Sequence, residues 1–424
     1  MANNKKKKPT TPIKRKGSAK FIQLNKEFIA PITKVEQNYD FIRYGKNNDY
    51  PTFLTELLST SGLHRAIIEK KVSLTIGNGL NIEDVSPETL KFILNPNPFE
   101  DLNSILQKCS YDLETYGGYY LQVIWNPNDN TIDSIYHMDF ERMRVGLPNE
   151  YGFTDTIYYY NDLTMEINQF ADISQTISFP VFSENNDKTE PQIYQVKKYT
   201  PTNKYYGSPI YEAGVLDIQT YAEVANFHNS NLHNNFAPGF LIFFTGTPPS
   251  DELQDDIVKE LQIQYAGSDN VGGPLVFFLE EDMEKPEIKP MEVSDLDKQF
   301  GQLIKQVIDN IAVSHQIPRQ VVGLETAGSL GSSKEMLEAT QIFKTSYIEP
   351  QQQILLGSFN VLMAINGLDE LKIVNPNPSI MMYDIKDLLL ILTQNELREY
   401  LGYEELEEEN VVNEQEKNND KIDE

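Results

Sequence analysis

Apolar residues recur every three or four positions along several stretches of this chain, and at every second position along others. The clearest helical stretch begins at Ser294 and carries Leu296, Phe300, Leu303, Val307 and Ile311 on one face. It must stop before Gln316-Ile317-Pro318, because Pro318 disfavours the α region for Ile317. A tight apolar segment follows, Ile317-Pro318-Arg319-Gln320-Val321-Val322-Gly323-Leu324, and then a small polar run from Thr326 to Ser333. A second helix is predicted from Ser333 or Lys334, interrupted at Glu349-Pro350. An apolar, glycine-bearing loop between two amphipathic helices is odd for a surface connection. It suits a loop that projects into a shared space, such as the lumen of a ring.

Upstream, Asn48-Asp49-Tyr50-Pro51 opens a helix with Phe53, Leu54, Leu57 and Leu58 on its apolar side. A second helix over Gly62 to Thr75 is expected to turn Leu63, Ala66, Ile67 and Val72 inward, and to end at Ile76-Gly77-Asn78-Gly79. Ser86-Pro87-Glu88 starts a short helix by the proline-at-N1 rule, and Asp101 caps the next, which carries Cys109. From Gly118 the period changes to two. Strands are predicted over Tyr119–Trp125, Thr131–Tyr136, Arg142–Gly146, Thr156–Tyr160, Thr164–Asn168, around Ile177, and over Ile193–Thr200. Helices first and an antiparallel sheet afterwards make the fold class α+β. Ser208-Pro209 is predicted to open a long helix with Ile210, Val215, Ile218, Ala222 and Ala225 along one face. Gly239–Phe244 reads as a strand, and Pro248-Pro249-Ser250-Asp251-Glu252 as a helix start leading to Leu253, Ile257, Leu261 and Ile263. Strands over Gly272–Leu279 and Glu287–Met291 form a compact β insertion before Ser294.

The order of these elements, with particular residues in them, resembles the portal proteins of tailed bacteriophages. The residues are Ile317-Pro318 followed by Val321-Val322-Gly323, and Ser346-Tyr347-Ile348-Glu349-Pro350-Gln351-Gln352 in the helix beyond. Thr115 to Val123 is similar to the family's helix-to-strand step. Tyr206-Gly207-Ser208-Pro209 and Asn234-Asn235-Phe236-Ala237-Pro238-Gly239 bracket a helix as in the family. The resemblance spans roughly residues 55 to 365. Arg319 departs from it, since many relatives have a second proline there.

The resemblance implies a portal-like architecture: an α/β wing, a two-helix stem, a small β-containing clip and a helical C-terminal crown region. The expected division is a disordered basic arm (1–25), wing (26–249), first stem helix (250–267), clip (268–293), second stem helix (294–316), tunnel loop (317–333), wing and crown helices (334–402) and an acidic disordered tail (403–424). It further implies a tunnel loop facing a DNA channel through Arg319, Gln320, Val321, Val322, Gly323, Leu324 and Ser329. Leu296, Phe300, Leu303, Val307 and Ile311 would form the oligomer face of the stem.

Composition narrows the function without naming it. The chain has 424 residues, 40% of them hydrophobic, enough for a sizeable core. Its single cysteine, Cys109, excludes an internal disulfide framework and reads as a buried structural thiol. No secretory signal or membrane span is expected, since the longest apolar runs are far too short. A net charge of −27 makes the whole surface a poor grip for a nucleic-acid backbone. The charge is uneven: Lys5, Lys6, Lys7, Lys8, Lys14, Arg15 and Lys16 crowd the start, and Glu404 to Glu416 the end. These are either two solvated tails, or a basic arm that touches DNA and an acidic tail that keeps rings apart.

No constellation of side chains points to catalysis, a metal or a cofactor. Gly328 to Lys334 lacks the lysine directly after the second glycine that a phosphate loop needs. His228 and His233 are five apart and poorly aligned as ligands. Tyr158 to Tyr160 and Tyr205-Tyr206 sit beside Asp155, Asn161 and Asp162 more than beside cations, which favours packing over base stacking. The resemblance therefore implies a non-enzymatic ring, of twelve subunits in the family, at one vertex of a phage head. Its partners would be copies of itself, double-stranded DNA in the channel, the terminase large subunit, a head-tail adaptor, the major capsid protein and a scaffolding protein. Its place would be the virion, with the host cytoplasm during assembly. On the residues alone, an α+β enzyme with an unrecognised active site and a scaffold protein unrelated to phage stay open.

Overall fold

A computed structural model describes residues 18–20, 40–160, 176–233, 241–245, 250, 253, 256, 275–279, 293–324, 333–376 and 393–400. In chain order the elements are β1 (Ser18–Lys20), α1 (Tyr50–Thr60), α2 (Gly62–Ile76), α3 (Pro87–Leu94), α4 (Leu102–Tyr116), β2 (Gly118–Trp125), β3 (Ile132–Met138), β4 (Met143–Val145), β5 (Thr156–Tyr160), β6 (Thr176–Pro180) and β7 (Gln192–Lys197). After them come α5 (Val215–His233), β8 (Leu241–Thr245), β9 (Leu275–Leu279), α6 (Val293–Ser314), α7 (Ser333–Phe343), α8 (Glu349–Ile365) and α9 (Gln394–Tyr400).

The chain forms two compact units, each discontinuous in sequence. The first gathers Arg43–Arg65 and Tyr211–Ser314 with the strand β1; the second gathers Ala66–Ile210 and the chain from His315, with the segment ending at Ile42. The expected linear division, with 26–249 as one block, does not follow these units. The reason is packing: α5 lies on α6, while α4 lies on α8.

In the first unit, α1 packs on α5 and buries Tyr50, Phe53, Leu54 and Leu57. The rings of Tyr44 and Tyr50 lie 5.1 Å apart, and the Tyr50 hydroxyl donates to Glu212 at 3.4 Å. A Cβ on Gly214 would meet Ser314 Oγ at 2.3 Å, so the turn before α5 and the end of α6 approach as closely as glycine allows. A three-stranded sheet completes the unit, in the order β1-β9-β8, with β8 and β9 parallel and β1 antiparallel to β9. β1 falls within the segment 1–25 expected as a basic arm.

In the second unit two antiparallel sheets run β3-β2-β7 and β4-β5-β6. Caps form as the residues dictate: Ser86 accepts from Thr89 N and Asp101 from Ser104 N. The larger core cluster spans α3, α4, β2, β3 and α8, including Ile93, Leu106, Cys109, Leu121, Val123, Leu355, Phe359 and Leu362. Cys109 is fully buried there, and burial pushes its thiol well above the ordinary value. The hydroxyl of Tyr206 donates to Ile42 O and accepts from Val145 N at 3.0 Å, tying the β4 edge to the 203–208 segment.

Four expectations are corrected. Ala66 is exposed, and the inward face of α2 is instead His64, Ile67, Ile68, Lys71, Val72 and Thr75. Ser208-Pro209 opens no helix: a 3-10 turn covers Glu212–Gly214 and α5 starts at Val215. The delay follows from Gly207 and Ser208 being pressed against Gly117, which fixes that backbone in place. On α5 it is Val224, not Ala225, that is buried. Finally, the long C-terminal helix is not interrupted at Glu349-Pro350. It widens into a π-turn over Lys344–Ile348 and continues as α8, with Pro350 in the first turn. Pro350 has no N–H to bond back to Ser346, and its ring would crowd that carbonyl; a wider turn clears it. The predicted strands at 164–168 and 287–291, and most of the predicted helix at 251–266, lie outside the described residues, although Leu253 and Asp256 are helical. Among the described residues no helix is long and apolar enough to cross a membrane.

Candidate assembly and channel site

The helix-loop-helix that dominates the sequence is present as α6, a turn, and α7. On α6, Val307 and Ile311 are 3% and 0% exposed, Ala312 is buried beside them, and Asn310 Nδ2 donates to Asp217 Oδ1 at 3.0 Å. The expected oligomer face is therefore divided. Val307 and Ile311 are buried on a helix that packs on α5, whereas Leu303 is exposed at 39%. The side chains of Leu296 and Phe300 lie outside the described set.

The turn after α6 is folded rather than extended. Pro318 caps a 3-10 turn over Arg319–Val322, closed by Val321 N to Pro318 O at 3.0 Å and Gly323 N to Gln320 O at 3.2 Å. Gly323 takes φ +74°, a left-handed conformation that ends the turn, and Leu324 N returns to Arg319 O at 3.0 Å. Ile317 and Val321 are buried, and α7 packs on the turn. So Val321 anchors the loop in the second unit. Arg319, Gln320, Val322 and Leu324 are half-buried and Gly323 is exposed. Ser329 lies outside the described residues, as do Lys5, Lys6, Lys7, Lys8, Lys14, Arg15, Lys16, the acidic tail and all of the clip except β9 and the start of α6.

A buried ionic cluster in the second unit was not foreseen. Lys71 on α2, Glu114 on α4, Tyr347 in the π-turn and Lys198 just after β7 converge. Lys71 Nζ donates to Tyr347 Oη at 2.8 Å and approaches Glu114 Oε2 at 3.3 Å; Tyr347 Oη donates to the same oxygen at 2.6 Å. Lys198 Nζ stands 3.9 Å from Glu114 Oε1. Burial pulls the Lys71 ammonium down to about 8, against the attraction of Glu114 and with the repulsion of Lys198. Burial would raise the Glu114 carboxyl, but Lys71, Lys198 and Tyr347 outweigh it and hold it low. Burial pushes the Tyr347 hydroxyl well up. The signal was readable: Lys71 stands four residues after Ile67 and next to Val72 on the inward face, and Glu114 four after buried Ser110. The cluster fixes the π-turn to α2 and α4, and so sets how α7 leaves the loop. A second pair, His137 Nε2 and Asp112 Oδ2 at 2.7 Å, joins α4 to β3, and burial raises the Asp112 carboxyl to about 6 despite His137. Among the described residues no group of three or more His, Cys, Asp or Glu side chains could hold a metal ion.

The two glycine motifs read from the sequence also meet. Gly117, at φ +78°, ends α4, and Ser208 C and O lie 2.3 Å from where its Cβ would be. Tyr206-Gly207-Ser208-Pro209 and Thr115 to Val123 are thus two sides of one backbone contact in the second unit.

The chain is similar to the probable portal protein of Haemophilus phage HP1 (strain HP1c1), 20% identical over 184 residues, covering 43% of this chain and 52% of that one. The match thus spans about half the length of that curated relative. Among solved structures it resembles a chain from the neck of an empty gene transfer agent particle, computed with C6 symmetry, at TM-score 0.53 and 16% identity, covering 84% of this chain and 94% of that one. It resembles a chain from the neck of the native particle, computed with C12 symmetry, at TM-score 0.52 and 16% identity, covering 83% and 94%. At that identity the likeness speaks for the fold alone. A family model described as phage portal protein matches residues 71–402, from the helix that carries Lys71 to beyond α9, and the chain belongs to the phage portal protein family.

Proposed function

We propose that this chain is a portal subunit that forms a closed ring at one vertex of a phage head and gives DNA its route in during packaging and out during ejection. The observation that carries this reading is the family match over residues 71–402, which includes the whole α6-turn-α7 unit. A ring of twelve fits the C12 symmetry applied to the neck of the native gene transfer agent particle. The mechanism is passive: a duplex must slide, so the channel wall must not hold phosphates tightly, and a chain of net charge −27 weakens such contacts. The loop from Arg319 to Ser329 supplies brief contacts, anchored at its start by Val321. The basic arm, Lys5 to Lys16, is the one dense cationic segment that can neutralise several phosphates.

In this reading the clip region, about 268–293, docks the terminase large subunit during packaging and a head-tail adaptor afterwards, while the wing meets the major capsid protein and a scaffolding protein. The protein acts without catalysis, and it is found in the virion, having assembled in the host cytoplasm. The experiment is to tag the C-terminus and image particles by immunogold electron microscopy. Label at a single vertex of each head supports the reading; label spread over the shell, or absent from particles, removes it.

A further inference from the structure

The sheet in the first unit has an unusual guard strand. β9 is Leu275-Val276-Phe277-Phe278-Leu279, five apolar residues in a row. One edge pairs along its whole length with β8, Leu241↔Leu275 to Thr245↔Leu279. Among the described residues, the other edge is covered by β1, through Ser18↔Phe278, Ala19↔Phe277 and Lys20↔Val276. Three paired residues at a sheet edge are marginal on their own, and an uncovered apolar edge is a template for another strand.

We propose that β1 is an exchanged strand: in the ring, Ser18–Lys20 of one subunit pairs with β9 of the neighbouring copy. This rests on the ring reading above. The occupant is a second copy of this chain because its β1 has the same sequence and so fits the same register, with no new contact to be invented. The tether is long enough. Nineteen residues, 21 to 39, separate β1 from Asp40 (39 − 20), and a chain of that length reaches at most roughly 65 Å. A neighbour in a closed ring presents its β9 edge at an effective concentration comparable with that of the subunit's own. Exchange links each subunit to the next and places the cationic run Lys5 to Lys16 beside a neighbour's sheet.

Cysteine crosslinking tests this on the full chain. Residues directly opposite in an antiparallel pair have Cβ atoms about 4.5–5.5 Å apart, and successive pairs alternate between wide and narrow. Two double variants, Ser18→Cys with Phe278→Cys and Ala19→Cys with Phe277→Cys, therefore include one pair in the narrow geometry. The native Cys109 is fully buried, and each single-cysteine variant serves as its control. The expected result, after mild oxidation and denaturing electrophoresis without reductant, is a ladder of covalent dimers and higher multimers, absent in the single variants and collapsed by reductant. An intrachain disulfide alone, or free thiols in both double variants, overturns the exchange. Light scattering on the same samples separates the two readings: a ring-sized particle without a ladder removes only the exchange, and a monomer removes the ring as well.

Discussion

Gly207 lies so close to Gly117 that a Cβ on residue 207 would stand 2.2 Å from the Gly117 carbonyl oxygen. Neither backbone can retreat, since Gly117 O also accepts from Lys198 N at 2.8 Å. Gly207→Ala should therefore destabilise the second unit by about 3 kcal/mol, the upper end of overpacking costs. Gly357 in α8 has nothing within 4 Å of its added Cβ, so Gly357→Ala should instead stabilise by about 0.5–1 kcal/mol. Urea denaturation of both variants checks the pair; equal midpoints would show that the contact is looser than its geometry.

The Tyr347 hydroxyl gives a second prediction. It donates to a buried carboxylate and accepts from a buried ammonium, so Tyr347→Phe leaves both short of a partner. The loss should be about 1.5–3 kcal/mol. Glu114→Ala should cost more, about 3–5 kcal/mol, because Lys71 and Lys198 lose the carboxylate they share. Hydrogen exchange should localise the loosening to 344–348 and α7; uniform exchange across the chain would argue against the cluster as the brace of the π-turn.

The third prediction is a pH dependence. The folded pKa of Lys71, about 8, lies below the ordinary 10.5, so between those values the unfolded chain binds more protons at this site. Stability contributed here must rise with pH across that window. Lys71→Met removes the term. The melting temperature of the wild-type chain relative to Lys71→Met should therefore increase from about pH 7.5 to about pH 9.5. A difference that stays flat or falls would mean that Lys71 keeps its proton.

Much of this was legible in the sequence for plain reasons. The helices at 50–60, 87–94, 102–116 and 293–314 announce themselves through period and cap, and the strands at 118–125 and 156–160 through alternation. What failed were features set by distant contacts. The start of α5 depends on Gly117, some ninety residues upstream, and the units pair segments far apart in the chain. The inward face of α2 mixes His64, Lys71 and Thr75 with Ile67, Ile68 and Val72, a mixture that a count of apolar positions does not register. Of the candidate site, the turn and its glycine were readable from Pro318 and Gly323. That Val307, Ile311 and Val321 would be used by the chain's own core was not, because an apolar row does not say whose surface it meets.

That division of the apolar residues sets the fourth prediction. Val322→Ser with Leu324→Ser changes two half-buried side chains and should leave the assembly's size intact while lowering the DNA retained in heads several-fold. Val321→Ser should in addition lose roughly 1.5 kcal/mol of stability, since that side chain is buried. Quantifying packaged DNA per particle against urea midpoints separates the two; unchanged packaging in the double variant would make the loop ordinary packing.

The central claim is that this chain closes into a ring, and native mass spectrometry of the purified full chain tests it most directly. The expected result is one dominant species of twelve subunits, each of 48.5 kDa, the number proposed above, with a central hole visible by electron microscopy. A stable monomer at micromolar concentration across several salt conditions would contradict it.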